Sequence, residues 1–290
     1  MRRISLAVAA ALAAAGCSPD IEKSPPPPTV EARFDPAAVP PVVPSPNSLA
    51  LDPTGTHLDV AKLLPPDASA AERERAAFLD TLNGFPSDTP GLETFTGSLN
   101  ASTVSKSTVV VWDVTAREQP VPGAGPGTPT YVEPPAPAAP EIVIAPPATG
   151  WTAGHTYAVA LIGGTPSDSL AVLKGKNQET VVGSPTWFLI RSEESLVTCE
   201  DLTSESCIPT TDIIPSDIQE PAARLADQTA KAIQLEKLRR PLAPLLGQLE
   251  AAGVPRSNVA MLWTFPVNTP QVFAFQRASR PDDFEKGALP

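Results

Sequence analysis

Apolar and polar positions follow two periods along this chain. Through the first two thirds, short β-branched runs alternate or cluster over five to seven residues. Thr108–Val114, Glu141–Ala145 and Thr156–Ile162 read as strands on that basis. Thr186-Trp187-Phe188-Leu189-Ile190 is uniformly apolar and predicts a buried central strand. Asn258–Val267 returns to the strand pattern, and Phe273 and Phe275 alternate in a last candidate strand. Gln119–Pro140 reads as a long surface loop that carries one short edge strand around Tyr131 and Val132. Asp52-Pro53-Thr54-Gly55 is a turn signal.

Two stretches switch to helical spacing. Ser69 and Glu72 form a capping box that predicts a short helix near 70–83. Its Phe78, Leu79 and Leu82 share one face for packing on a sheet, and Gly84 stands as its C-terminal glycine. Ser216 and Gln219 form a second capping box. Beyond it, Ala222, Leu225, Ala226, Thr229, Ala232 and Ile233 recur at 3–4 residue intervals. Leu242, Leu245, Leu246 and Leu249 extend the pattern past Pro241 and Pro244. Proline removes a helical N–H and clashes with the preceding turn, so a helix pair near 217–252 is expected, split near Arg240.

Composition sharpens this to a mainly β chain with helical embellishments. The 290 residues include 37 prolines and only 5% aromatic residues, which suits short strands joined by proline-rich turns. The folded body is expected over 34–276, followed by a charged tail over 277–290.

The N-terminus carries an address. Arg2 and Arg3 precede the apolar run Ile4–Ala15, and Ala14-Ala15-Gly16 leads into Cys17. The run is too short for a bilayer span, which needs roughly 20 residues. This pattern resembles a bacterial lipoprotein signal. The resemblance implies removal of residues 1–16, lipidation of Cys17 and attachment to the membrane through that lipid. Ser18, rather than Asp, then favours the outer membrane. Residues 17–33 read as a tether, with Pro25–Pro28 in polyproline II. Losing Arg2 and Arg3 leaves 19 basic against 32 acidic residues. That acidic balance argues against nucleic acid as a partner.

Cys199 and Cys207 remain in the exported body and are expected to pair across a short acidic loop. The order of further motifs extends the resemblance. They are Pro44–Asp52 with Gly55, Leu82–Phe85, Trp151–Val159, Phe188–Ser192 and Val259–Phe265. Together they resemble the N-terminal region of virulence-factor-lipase-type surface lipoproteins, an S-layer-type bacterial Ig-like module. That resemblance implies an Ig-like β-sandwich and a non-catalytic role for these residues, since the lipase members carry their hydrolase domain after this region.

The residues themselves offer little chemistry. No Gly-x-Ser-x-Gly elbow, zinc pattern or phosphate-binding glycine loop occurs. His57 and His155 are the two histidines; His155 is expected in an exposed turn. Glu193, Glu194 and Asp67 are the carboxylates considered for glycoside hydrolysis, and Asp52, Asp59 and Asp282-Asp283 those for calcium; solvated charge is the reading preferred for all. Trp187 and Trp263 are expected in the core, whereas Trp151 is the candidate exposed aromatic for a ligand. The expectation is therefore a non-enzymatic lipoprotein without catalytic residues, metal or cofactor, presenting a binding or spacer module to an unknown protein or polysaccharide. A hydrolase of lipase or esterase type, an accessory module of one, and an envelope assembly partner are the alternatives.

Overall fold

The central sheet of the protein joins β3 (Val109–Asp113), β6 (Thr156–Ile162) and β8 (Val259–Pro266), antiparallel, with β6 in the middle. This is a computed structural model that describes residues 29–269 except Asp168 and Glu205. All five residues of β3, six of seven in β6 and six of eight in β8 are buried, so neither face of this sheet meets much water. That explains why these segments read as apolar runs instead of strict alternation. β2 (Gly91–Thr94), β5 (Glu141–Ala145) and β4 (Thr128–Val132) make a second antiparallel sheet in the order β2-β5-β4. β1 (Thr29–Ala32) pairs in parallel with β7 (Thr180–Gly183). A bridge from Ala32 to Phe95 connects that pair to the end of β2. With three α-helices beside these eight strands, the described fold is mainly β.

Side chains from all three sheets enter one hydrophobic core. It contains Val30 of β1, Ile142 and Ile144 of β5, Val181 of β7 and most of the central sheet. Trp112, Trp187 and Trp263 lie within it, almost wholly buried. The Asp52 turn forms as expected: Gly55 donates its N–H to the Asp52 carbonyl and takes φ +71°.

Several elements differ from the sequence expectation. Thr186–Ile190 is not a strand but part of α2 (Pro185–Ile190). Ser184 caps it by accepting the Trp187 N–H, and Pro185 at the first helical position presets φ. Apolar composition alone could not reveal that start signal. The helix pair is one helix, α3 (Pro221–Ala251), with Pro241 and Pro244 inside it. Both prolines are exposed, while Leu245, Leu246 and Leu249 are buried. Burial of that leucine face holds the helix together where proline chemistry alone would divide it. The second capping box is not used: Glu220 is the N-cap and accepts from Ala222 and Ala223.

The first capping box does form, at the start of α1 (Ala70–Leu79). That helix buries only Ala76, and Phe78 is 63% exposed, so the expected packing on a sheet does not occur. Gly84 is buried, not a helix cap. A Cβ there would lie 2.7 Å from the Asn268 nitrogen and the Val267 carbonyl carbon. β1 also places Thr29–Ala32 in a sheet, so those residues do not belong to the tether. Residues 1–28, the candidate strand at Phe273 and Phe275, and the tail over 277–290 lie outside the described residues.

Candidate functional site

An apolar groove opens between α2 and α3. Phe188 and Leu189 of α2 form one wall, and Leu235 and Leu238 of α3 face them. Ile213, Ile214, Pro36 and Ala37 complete its lining. Its volume of about 790 Å³ falls in the range of small-molecule sites. Phe188 is 56% exposed and Ile213 59%, so the groove is flanked by apolar surface that water still covers.

The groove is held in shape from below. Leu189, Leu196, Val197, Ile214 and Ala232 form a small second core under it. The chain from 192 to 214 is fastened to α3 through Glu236, a fully buried carboxylate. Arg239 donates to both its oxygens, at 2.7 and 2.8 Å. The Leu196 N–H and the Arg240 Nε donate at 3.0 Å each. Arg240 reaches on to the carbonyls of Cys199 and Glu200, and Arg239 to those of Ser192 and Glu193. Burial acts to raise the Glu236 pKa, but the hydrogen bonds from Arg239, Leu196 and Arg240 outweigh it and bring it down to about 2. The Cys199–Cys207 disulfide forms, with Cα atoms 5.0 Å apart, and closes the loop that Arg240 grips. Sequence alone located the disulfide but not the groove. The available signals were the Ser184-Pro185 helix start and the shared face of Lys231, Leu235 and Leu238.

A second feature joins Asp113 at the end of β3 to His155 in the turn before β6. His155 Nδ1 lies 2.6 Å from Asp113 Oδ2. The Asp113 side chain is 8% exposed and that of His155 32%. The expected exposed turn histidine is therefore half-buried and held by a carboxylate. Asp113 borders a cleft of about 680 Å³ that also touches Glu118, Thr152 and Tyr157. A neutral imidazole that donates from Nδ1 carries its free lone pair on Nε2, which is the orientation of a general base.

The remaining candidates are dispersed. Trp151 is 2% exposed, which corrects its reading as an exposed binding aromatic. Its ring lies 4.9 Å from Tyr157 and 5.4 Å from Phe265, and its Nε1–H donates to the Thr89 carbonyl. A tryptophan before a strand looks the same in sequence whether it faces water or joins β6 to β8. His57 sits in the Asp52 turn beside the Thr56 hydroxyl. Glu193, Glu194 and Asp67 are exposed. Among the described residues, no three His, Cys, Asp or Glu side chains converge to hold a metal. No helix among them is long and apolar enough to cross a membrane. Cys17 lies outside the described residues.

No protein-family model matches the chain, and no curated protein sequence is similar to it. Among solved structures, the crystal structure of the S-layer protein rSbsC(31-844) is similar over 43% of this chain and 16% of its own length. The identity is 16% and the TM-score 0.23, a likeness too weak to establish a common fold.

Proposed function

We propose that this chain is a non-enzymatic lipoprotein of the outer membrane whose body presents a binding module. The groove between α2 and α3 carries the reading. Globular proteins bury such surface unless something else covers it, and this one is supported by its own small core and by the Glu236 network. The body itself is read as an Ig-like β-sandwich. The β2-β5-β4 sheet and the β3-β6-β8 sheet are both antiparallel and contribute to one core, which supports that architecture. The Arg2–Cys17 pattern supports the anchor.

The Asp113–His155 pair is the observation that favours a hydrolase instead. The hydrogen bond of that ring is to Asp113, and among the described residues no serine or cysteine hydrogen-bonds to Nε2 to serve as nucleophile. Binding is therefore the preferred reading.

Protease treatment of intact cells tests the placement, with a periplasmic marker and Cys17→Ala alongside. Wild-type protein should fractionate with the outer membrane, and Cys17→Ala should move to the soluble fraction. Cleavage while the marker survives assigns the body to the cell surface; protection until the outer membrane is broken assigns it to the periplasm. A Cys17→Ala protein that stays in the membrane sinks the anchor.

A further inference from the structure

The charges around the groove are unevenly committed. Asp35, in the lining, accepts the Ala37 N–H through Oδ1. Lys231 pairs with Asp227 at 2.9 Å and donates to the Pro215 carbonyl at 3.0 Å. Arg191, beside Phe188, donates to the carbonyls of Ser257 and Val259. Lys237 also lines the groove and is exposed. Among the described residues it has no hydrogen bond and no ion pair, which distinguishes it from the other charged groups there.

An apolar trough with one uncommitted cation at its edge is complementary to an amphiphile with one apolar chain and one negative head. We propose that the groove binds a free long-chain carboxylate, its chain along Phe188, Leu235 and Leu238 and its head at Lys237. This rests on the reading of the groove as a binding surface. The volume favours a ligand of this size over a protein, which spreads its contacts over a broad and flatter surface. The apolar walls supply affinity by removing chain from water. Lys237 supplies the choice of head, because an opposite charge at a partly exposed site adds a modest attraction and a like charge subtracts one.

The test uses the full chain carrying Cys17→Ala, handled without detergent. Nile red reports occupancy of the groove, and palmitate and hexadecylammonium compete for it below their aggregation limits. Palmitate should displace the dye at lower concentration than hexadecylammonium. Lys237→Glu should reverse that order, shifting the ratio of the two affinities about tenfold, while Lys237→Arg keeps it. Ile213→Asp should abolish dye and palmitate binding together. Both positions are exposed, so circular dichroism should be unchanged. Equal competition by the two amphiphiles, or an unmoved ratio in Lys237→Glu, overturns the carboxylate. If the dye binds in an Ile213-dependent way but palmitate never displaces it, the groove remains a binding surface and the ligand class is wrong. If Ile213→Asp leaves dye binding intact, the groove reading fails as well. Ile213-dependent flotation with neutral vesicles, or Ile213-dependent dimerisation without palmitate binding, replaces the free carboxylate by a membrane or a second copy.

Discussion

Glu93 is the residue least at ease in this molecule. It lies on β2 opposite Ile142, it is 1% exposed, and neither carboxyl oxygen has a hydrogen-bond partner. Burial pushes its pKa well above the ordinary carboxylate range, against smaller opposing effects from the Arg33 backbone and charge. A carboxyl whose folded pKa is raised favours the fold in its neutral form. Its contribution is complete below the unfolded value near 4.5 and is lost as pH rises towards the folded value. Glu93→Leu should therefore stabilise the protein by about 1–3 kcal/mol near neutrality, and by less in acid. Urea unfolding at two pH values checks this; equal effects at both would show that the carboxyl is not the cause. Alternation in β2 made an inward glutamate readable only once the register with β5 was known. A four-residue strand that begins with glycine gives too short a pattern.

At the scale of elements, α3 is a clasp as much as a helix. Its Glu236 carries the opposite linkage to Glu93. With its pKa lowered to about 2, the stability it supplies is present above the unfolded value of 4.5 and fades as pH falls from there towards 2. Glu236→Ala leaves Arg239 and Arg240 without their shared carboxylate and should cost about 3–5 kcal/mol. Hydrogen exchange should show the loss first between residues 196 and 210, where the Leu196 N–H is released. Uniform loss over the whole chain would instead mean that the clasp is not local. These elements were unequally legible. Strands β3, β5, β6 and β8 followed from β-branched runs, and α3 from its 3–4 residue spacing. α2 was misread because a short run of four apolar residues, Trp187–Ile190, carries no period of its own, and the cap at Ser184 outweighed its β propensity. The groove was not legible as a whole, because its two walls lie about 50 residues apart in sequence and Pro36 and Ala37, which also line it, about 150 residues from the nearer wall.

For the whole molecule, the join between the central sheet and the β1–β7 pair depends on close approach. Gly163 follows β6 and donates its N–H to the Asn258 carbonyl, while Gly164 donates to the Val181 carbonyl. Asn258 returns two hydrogen bonds, to the carbonyls of Gly163 and Thr165. A Cβ on Gly163 would lie 2.2 Å from the Val181 carbonyl oxygen and 3.1 Å from the Ala260 Cβ. Gly163→Ala must push β7 away from the central sheet, and a loss of about 1–3 kcal/mol is expected. A lowered Tm with unchanged secondary structure would agree, whereas an unchanged Tm would mean that the join yields freely.

β4 forms the outer border of the β2-β5-β4 sheet. β4 is five residues long, largely exposed, and contains Pro129, which has no N–H to offer. A sheet border of that kind is a poor template for another chain. If many copies crowd side by side on a membrane, this strand works against their zipping into fibrils, leaving neighbours free to slide past one another.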